Sequence, residues 1–257
     1  EAFRRAMGFD DPIWLQYLRF LGNLLQGDLG LSLRYQRPAT DLLWERLPAT
    51  ALLALSALIW SSAIGMVLGV VSAVRKNSGL DFVIRVIALL GQAVPVFWLA
   101  LLMILLFSLR LRWLPSSGMG GWQHLVMPSI ALGAYYVSAM TRLVRASLIE
   151  VLGQNYIRTA RAKGLGQWRI VVRHGLRNAM IPVITVQGMY FAALLGGALV
   201  TEIVFAWPGI GRLAVEAIQN RDFPVVQAVV LFTAAVFVIA NFLVDIAYTW
   251  LNPRIRL

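Results

Sequence analysis

The residues of this chain with chemistry to offer are few. Between Arg142 and Ala179 stand eight Arg or Lys against a single acid, Glu150, most of them inside the stretch 150–182. Positive charge that dense, held between two long apolar segments, stays on the cytoplasmic side of a membrane. It can pair with acids in a partner's groove or with anionic headgroups. No glycine-rich loop ending in Lys-Ser or Lys-Thr occurs, so the chain offers no phosphate-binding loop of that kind. His124 and His174 fall on opposite sides of the membrane in the topology below, which rules out a shared metal site. Met119, His124 and Met127 could greet a metal ion at an outer mouth, but packing and interfacial roles account for them better. Glu202 and Asp245 are acids close to span interiors, where an ionisable group is a functional candidate by default. Each stands near a span end, which favours snorkelling or a structural pair. The absence of cysteine removes disulfides, thiolate chemistry and Cys-based metal sites.

The elements that must position these residues follow from composition. With 59% hydrophobic and 14% charged residues, the chain reads as an all-α integral membrane protein. Its formal charge of +11 sits between apolar runs instead of forming one basic face with interleaved aromatics, so nucleic acid is not the partner. Residues 1–48 read as an external segment. In it an amphipathic helix over 12–26 sets Trp14, Leu15, Leu18, Leu21, Leu24 and Leu25 on one face. A turn follows at Gly27-Asp28-Leu29-Gly30, then a polar linker with Arg34, Arg37, Asp41, Glu45 and Arg46. Residues 49–257 form the transmembrane domain.

Five spans are visible in that domain. The first, 49–74, carries Gly65 and Gly69 at a spacing that lets helices approach closely. The second, 86–109, is kinked at Pro95. The third, 126–141, continues past the bilayer through Arg142 and Arg145. The fourth and fifth are 180–204 and 225–251. With the basic loop inside, Arg75-Lys76 and the tail 252–257 are cytoplasmic, while 110–125 and 205–222 are external. The external Arg110 and Arg112, with no acid nearby, run against the charge rule. The same alternation puts 1–48 outside, so a sixth, upstream span is expected and Glu1 is read as a boundary. In 205–222, Trp207-Pro208-Gly209 should end the fourth span, and Leu213, Val215, Ala217 and Ile218 should form a short helix that narrows the outer mouth. The basic loop should be helix, glycine turn, helix, with Gly164 where a side chain would clash.

The run Tyr156-Ile157-Arg158-Thr159-Ala160-Arg161-Ala162-Lys163-Gly164, followed by Arg177-Asn178-Ala179-Met180-Ile181-Pro182, resembles the loop by which inner-membrane permeases of bacterial ABC importers dock their ATPases. The branch it resembles is the dipeptide, oligopeptide, glutathione and nickel permease family. Three other stretches agree, in the right order: Gly27-Asp28-Leu29-Gly30 with Arg46-Leu47-Pro48-Ala49-Thr50, Trp207-Pro208-Gly209-Ile210-Gly211-Arg212, and Val244-Asp245 through Asn252-Pro253-Arg254-Ile255-Arg256. The loop departs from the general importer pattern, which starts Glu-Ala-Ala; here Arg158-Thr159-Ala160 align with it. Members of the family also begin with a transmembrane helix that is not visible here, in agreement with the expected sixth span.

The resemblance implies a type I ABC importer transmembrane domain with a cytoplasmic coupling loop at 142–180. Its ATPase-coupling residues would be Tyr156, Arg158, Thr159, Ala160, Arg161, Ala162, Lys163, Gly164, Arg177, Asn178 and Pro182. Its outer gate would comprise Trp207, Pro208, Gly209, Gly211 and Arg212. It implies a multi-pass protein of the bacterial inner membrane with a cytoplasmic C-terminus and no catalytic residues of its own. The partners would be a second homologous permease, two cytoplasmic ATP-binding subunits and an external substrate-binding protein. ATP and Mg would reside on the partner subunits, with no cofactor or metal on this chain. A peptide-type substrate is favoured; glutathione, nickel or a nickel chelate are alternatives within the family. The alternative from another class is a secondary transporter driven by an ion gradient through Glu202 or Asp245. An intramembrane enzyme would need a nucleophile and base, or a metal-ligand set, at one depth, and none is found.

Overall fold

The computed structural model describes residues 11–251. The tail 252–257 and the side chain of Asp245, and with it the role weighed for that acid, lie outside the described residues. The described secondary structure is helical, apart from one isolated bridge between Leu31 and Pro38.

Helix α1, Ile13–Leu25, is amphipathic as its leucine spacing predicts, and none of its residues is buried. It ends at Gly27 and Gly30, both at positive φ. Helix α2, Ala39–Val74, is the first span. The sequence reading began this span at residue 49, after the last charge; the helix instead starts ten residues earlier and runs straight through Pro48. A charge count marks where the bilayer begins, whereas the helix projects beyond it and carries Asp41, Glu45 and Arg46 on its outer turns. The boundary drawn between 48 and 49 therefore falls inside one element.

The second span is two helices, α3 (Gly79–Ala93) and α4 (Val96–Met103), the latter continuing as a π-helical turn over Ile104–Arg110. They meet at 99°, a break where a kink was expected. The residue before a proline is driven out of the helical region, and Val94 accordingly sits at ψ 122° with Pro95 capping α4. Helix α5, Trp122–Leu152, runs from the outer link far past Arg142 and Arg145, as predicted. Helix α6 (Asn155–Ala162) and the single turn α7 (Gln167–Arg169) form the basic loop. A π-helical segment, Ile170–Leu176, then leads into α8, Arg177–Gly197. The fourth span thus starts before residue 180 and is completed by α9, Leu199–Val204. Helix α10, Ile210–Gln219, is the short outer helix, and α11, Phe223–Leu251, the last span.

Helix α5 is the hub, packed against α2, α3, α4 and α8. Its buried face is rich in small residues, among them Ser129, Ala131, Gly133, Ser138 and Thr141, which permits close approach. The two glycines of α2 do the same from the other side. A Cβ on Gly65 would stand 2.7 Å from the Met140 side chain, and one on Gly69 would stand 2.7 Å from that of Val144. Outward-facing residues such as Ile59, Val67, Leu90, Phe237 and Phe242 are more than half exposed. In a water-soluble protein such a surface would be a liability; in hydrocarbon it is the solvated face. Among the described residues α2 and α11 are each long and apolar enough to cross a membrane alone, and α3 with α4 qualifies as one broken span.

Candidate functional site

The basic loop is built from a helix stop. Gly164, at φ +77°, is the left-handed residue that ends α6. Its N–H donates to the Arg161 carbonyl at 2.9 Å, and the Leu165 N–H donates to the Ala160 carbonyl at 3.3 Å, the paired bonds of a Schellman motif. Leu165 then packs on Ile157, Ala160 and Ile170, the hydrophobic contact that accompanies the motif. The clash expected at Gly164 is absent: a Cβ there would meet nothing within 4 Å. Glycine is required by the backbone angle, and the space beside it is open.

The motif sorts the predicted coupling residues into two sets. Ala160 points inward and is buried, beside Ile157, which was not among them. Arg158, Thr159, Arg161, Ala162 and Lys163 face outward. Tyr156 fixes the loop to the span that follows: its hydroxyl donates to the His174 carbonyl at 3.3 Å and accepts from Asn178 Nδ2 at 2.7 Å. Tyr156 and Asn178, predicted separately, thus form one joint between α6 and the start of α8. Arg177 and Pro182 are exposed along α8, apart from that joint. The sequence reading passed over Trp168, which stands 77% exposed among the arginines. A large aromatic in a basic, outward-facing loop is the signal that could have found it.

At the outer end, Glu202 is fully buried and held by neutral donors. Thr50 Oγ1 donates to its Oε1 at 2.7 Å, and the Arg212 N–H to its Oε2 at 3.0 Å. The carboxylate does not snorkel; the structural role wins. Gly209 lies so close that any Cβ would overlap the Glu202 carboxylate, and a Cβ on Gly211 would stand 2.7 Å from the Leu199 Cα. Trp207 is buried, its Nε1 donating to the Ala49 carbonyl at 2.8 Å. The Arg212 guanidinium closes the turn on the Ala206 carbonyl and on Glu216, both at 2.8 Å. Four of the five residues predicted for the outer gate therefore tie α9 and α10 to α2 through Glu202, Thr50 and Ala49, while Pro208 supplies the turn. The break after α9 is as expected. Nearby, Asp222 is buried and holds the outer linker, accepting from Ser32 Oγ at 2.5 Å and from the Leu33 N–H at 3.1 Å.

A third cluster, missed in the sequence, sits at the cytoplasmic end. Asp81 is buried and takes a two-point salt bridge from Arg145, at 2.8 and 2.9 Å, with a further hydrogen bond from Ser72. It ties α3 to α5 and α2. Removing Arg145 leaves the buried carboxylate with Ser72, the Asn77 N–H and the more distant Arg85, a loss with an upper bound of about 3–5 kcal/mol. Arg145→Ala should therefore lower the melting temperature of the solubilised protein sharply, and adding Asp81→Asn should recover part of the loss.

Between α2, α5, α8 and α11 lies a cavity of about 470 Å³ whose walls include Ser62, Met66, Met140, Met180 and Phe191. Gln187 enters it, its amide nitrogen donating to Ser62 Oγ. Its buried Oε1 has no partner among the described residues.

A basic loop closed by a glycine stop, a tightly tied corner at the other end of the bundle and broken apolar spans between them are the frame in which the comparisons fall. The family model described as the inner membrane component of binding-protein-dependent transport systems matches residues 65–257, and the chain belongs to that family. It is the permease of an ABC importer, an all-α, multi-pass protein of the inner membrane with the type I fold. It is 43% identical over 256 residues to the glutathione transport system permease protein GsiC of Escherichia coli K12, covering 100% of this chain and 84% of that protein. The same identity and coverage hold for GsiC of Shigella dysenteriae serotype 1. Among solved structures, an inward-facing form of the MetNI methionine ABC transporter superposes with a TM-score of 0.71 at 19% identity, over 82% of this chain and 96% of that one. An amino acid ABC transporter crystallised with histidines gives 0.58 at 16% identity, over 84% and 95%.

Proposed function

We propose that this chain forms half of the translocation path of an ATP-driven importer for a peptide-type substrate delivered by an external binding protein. The observation that carries this reading is the cytoplasmic loop. It is tied to α8 by Tyr156 and Asn178 and packed on Ile157, Ala160 and Ile170, while Arg158, Arg161, Lys163 and Trp168 are left facing outward with open space beside Gly164. That arrangement suits a surface seated in an acidic groove of an ATP-binding subunit. A second homologous permease would complete the path, two cytoplasmic ATP-binding subunits would carry ATP and Mg, and this chain would bind no cofactor. Residues 142–180 would be the coupling region, 205–222 the outer gate, and the C-terminus cytoplasmic. Glutathione, itself a peptide, is the substrate reading that the relatives' names favour. A gradient-driven carrier finds less support, since Glu202 is saturated by Thr50 and the Arg212 N–H, with no exposed face for an ion.

Two measurements test this. Co-expressed with its neighbouring ATP-binding subunits, the tagged permease should retain them through purification; recovery of the permease alone would overturn the ATP-driven reading. In intact cells with outer-membrane access, an impermeant thiol reagent should label Ser117→Cys and spare Gln167→Cys. The reverse pattern would invert the topology.

A further inference from the structure

The broken helix α3 and the hub helix α5 frame a cavity of about 180 Å³ lined by Arg85, Leu89, Arg142 and Arg145. One acid, Asp81, serves two of these three arginines. Asp81 is engaged by Arg145 and lies 3.6 Å from Arg85 Nε. Arg142 has no acid among the described residues; its Nη1 donates to the neutral Gln92 Oε1. A guanidinium has five N–H donors in a fork, so one bond to an amide leaves most of that fork available. Tyr135, two turns from Arg142 on the same side of α5 and exposed like it, meets the Tyr136 ring edge-on at 5.4 Å. A lane of polar groups, Arg145, Arg142, Gln92 and Tyr135, therefore runs along the exposed side of α5 beside α3.

Depth decides what the lane is for. Gln92 lies eleven residues along α3 from Asp81, roughly 17 Å at the helical rise. Tyr135 stands seven residues deeper along α5 than Arg142, roughly 10 Å. A lipid headgroup at the cytoplasmic surface would meet Arg145 and Arg85 and stop there. Charged and polar side chains that continue into the apolar zone face a water-filled path. We propose that this lane, with Arg142 at its centre, binds a carboxylate of the substrate in transit. The inference rests on the importer reading above and narrows it to cargo carrying a free carboxylate. Arg142 is the specificity-determining residue: a planar fork suited to a bidentate carboxylate.

The test uses the assembled transporter in proteoliposomes, with glutathione and its diethyl ester, in which both carboxylates are blocked, as probes. Losing a charge-assisted contact costs about tenfold or more in binding, so Arg142→Gln should reduce the acid-over-ester preference in uptake by about that factor. Arg142→Lys, which keeps the charge and loses the fork, should fall between the unmodified protein and Arg142→Gln, and both variants should co-elute with their partners. An unchanged preference in Arg142→Gln would overturn the proposal. So would phosphatidylglycerol bound in nanodiscs by the unmodified complex and lost with Arg142→Gln, which would make the lane a lipid site. Binding is read separately by calorimetry on the same complex. Arg142-dependent binding of glutathione without ATP-driven uptake would support the site while sinking the importer reading.

Discussion

Gly164→Asp is expected to abolish coupling while leaving the permease inserted. The substitution places an L-residue at φ +77°, which costs about 1–2 kcal/mol in general and less for Asp, whose short side chain tolerates this region. The larger effect comes from where the side chain points. Nothing of this chain lies within 4 Å of the new Cβ, so the carboxylate projects outward beside Arg161 and Lys163, on the face proposed to seat the ATP-binding subunit. Uptake and substrate-stimulated ATP hydrolysis should fall together by at least about tenfold, equivalent to about 1.4 kcal/mol, while the separated ATP-binding subunits keep their own hydrolysis. Gly164→Asn, neutral and equally tolerant of the angle, isolates the charge and should lose much less. Full ATP-dependent uptake by a well-inserted Gly164→Asp complex would reduce the loop to a topology signal.

Gly209→Val should be the most damaging single change at the outer end. Its side chain would occupy the space of the Glu202 carboxylate, which cannot move without losing Thr50 and the Arg212 N–H. A buried carboxylate stripped of its partners costs several kcal/mol, about 3–5 by analogy with broken buried ion pairs. The measurable result is low yield of inserted protein and rapid external proteolysis near α10. Adding Glu202→Ala removes the obstructing group, and in a double-mutant cycle it should restore stability beyond the sum of the single effects. Additive losses would show that the overlap is not the cause.

The sequence showed most clearly what is local. Gly164 ends a helix through bonds within five residues, Pro95 breaks one through its own neighbour, and Pro208-Gly209 separates α9 from α10. Gly65 and Gly69, used only as a spacing hint, mark a close contact with α5. Most of what the reading missed joins distant parts of the chain. Arg145 meets Asp81 across 64 positions, Thr50 meets Glu202 across 152, and Trp207 meets Ala49 across 158. A single sequence does not pair such residues, so Asp81 passed unnoticed and Glu202 was weighed as an isolated acid. The start of α2 was misplaced for a different reason: composition registers the edge of the lipid and is blind to a helix that continues into water.

The glycine-mediated contact between α2 and α5 makes the two helices one stiff beam. With no side chain between the backbones at Gly65 and Gly69, neither helix can slide or roll without driving Met140 or Val144 into the other. Helix α5 alone has 31 residues, a lever roughly 46 Å long at the helical rise. On a lever of that length, a tilt of about 5° applied at the inner end displaces the outer end by roughly 4 Å. Mechanical work done at one membrane surface would then arrive at the other as displacement, with little lost to bending between.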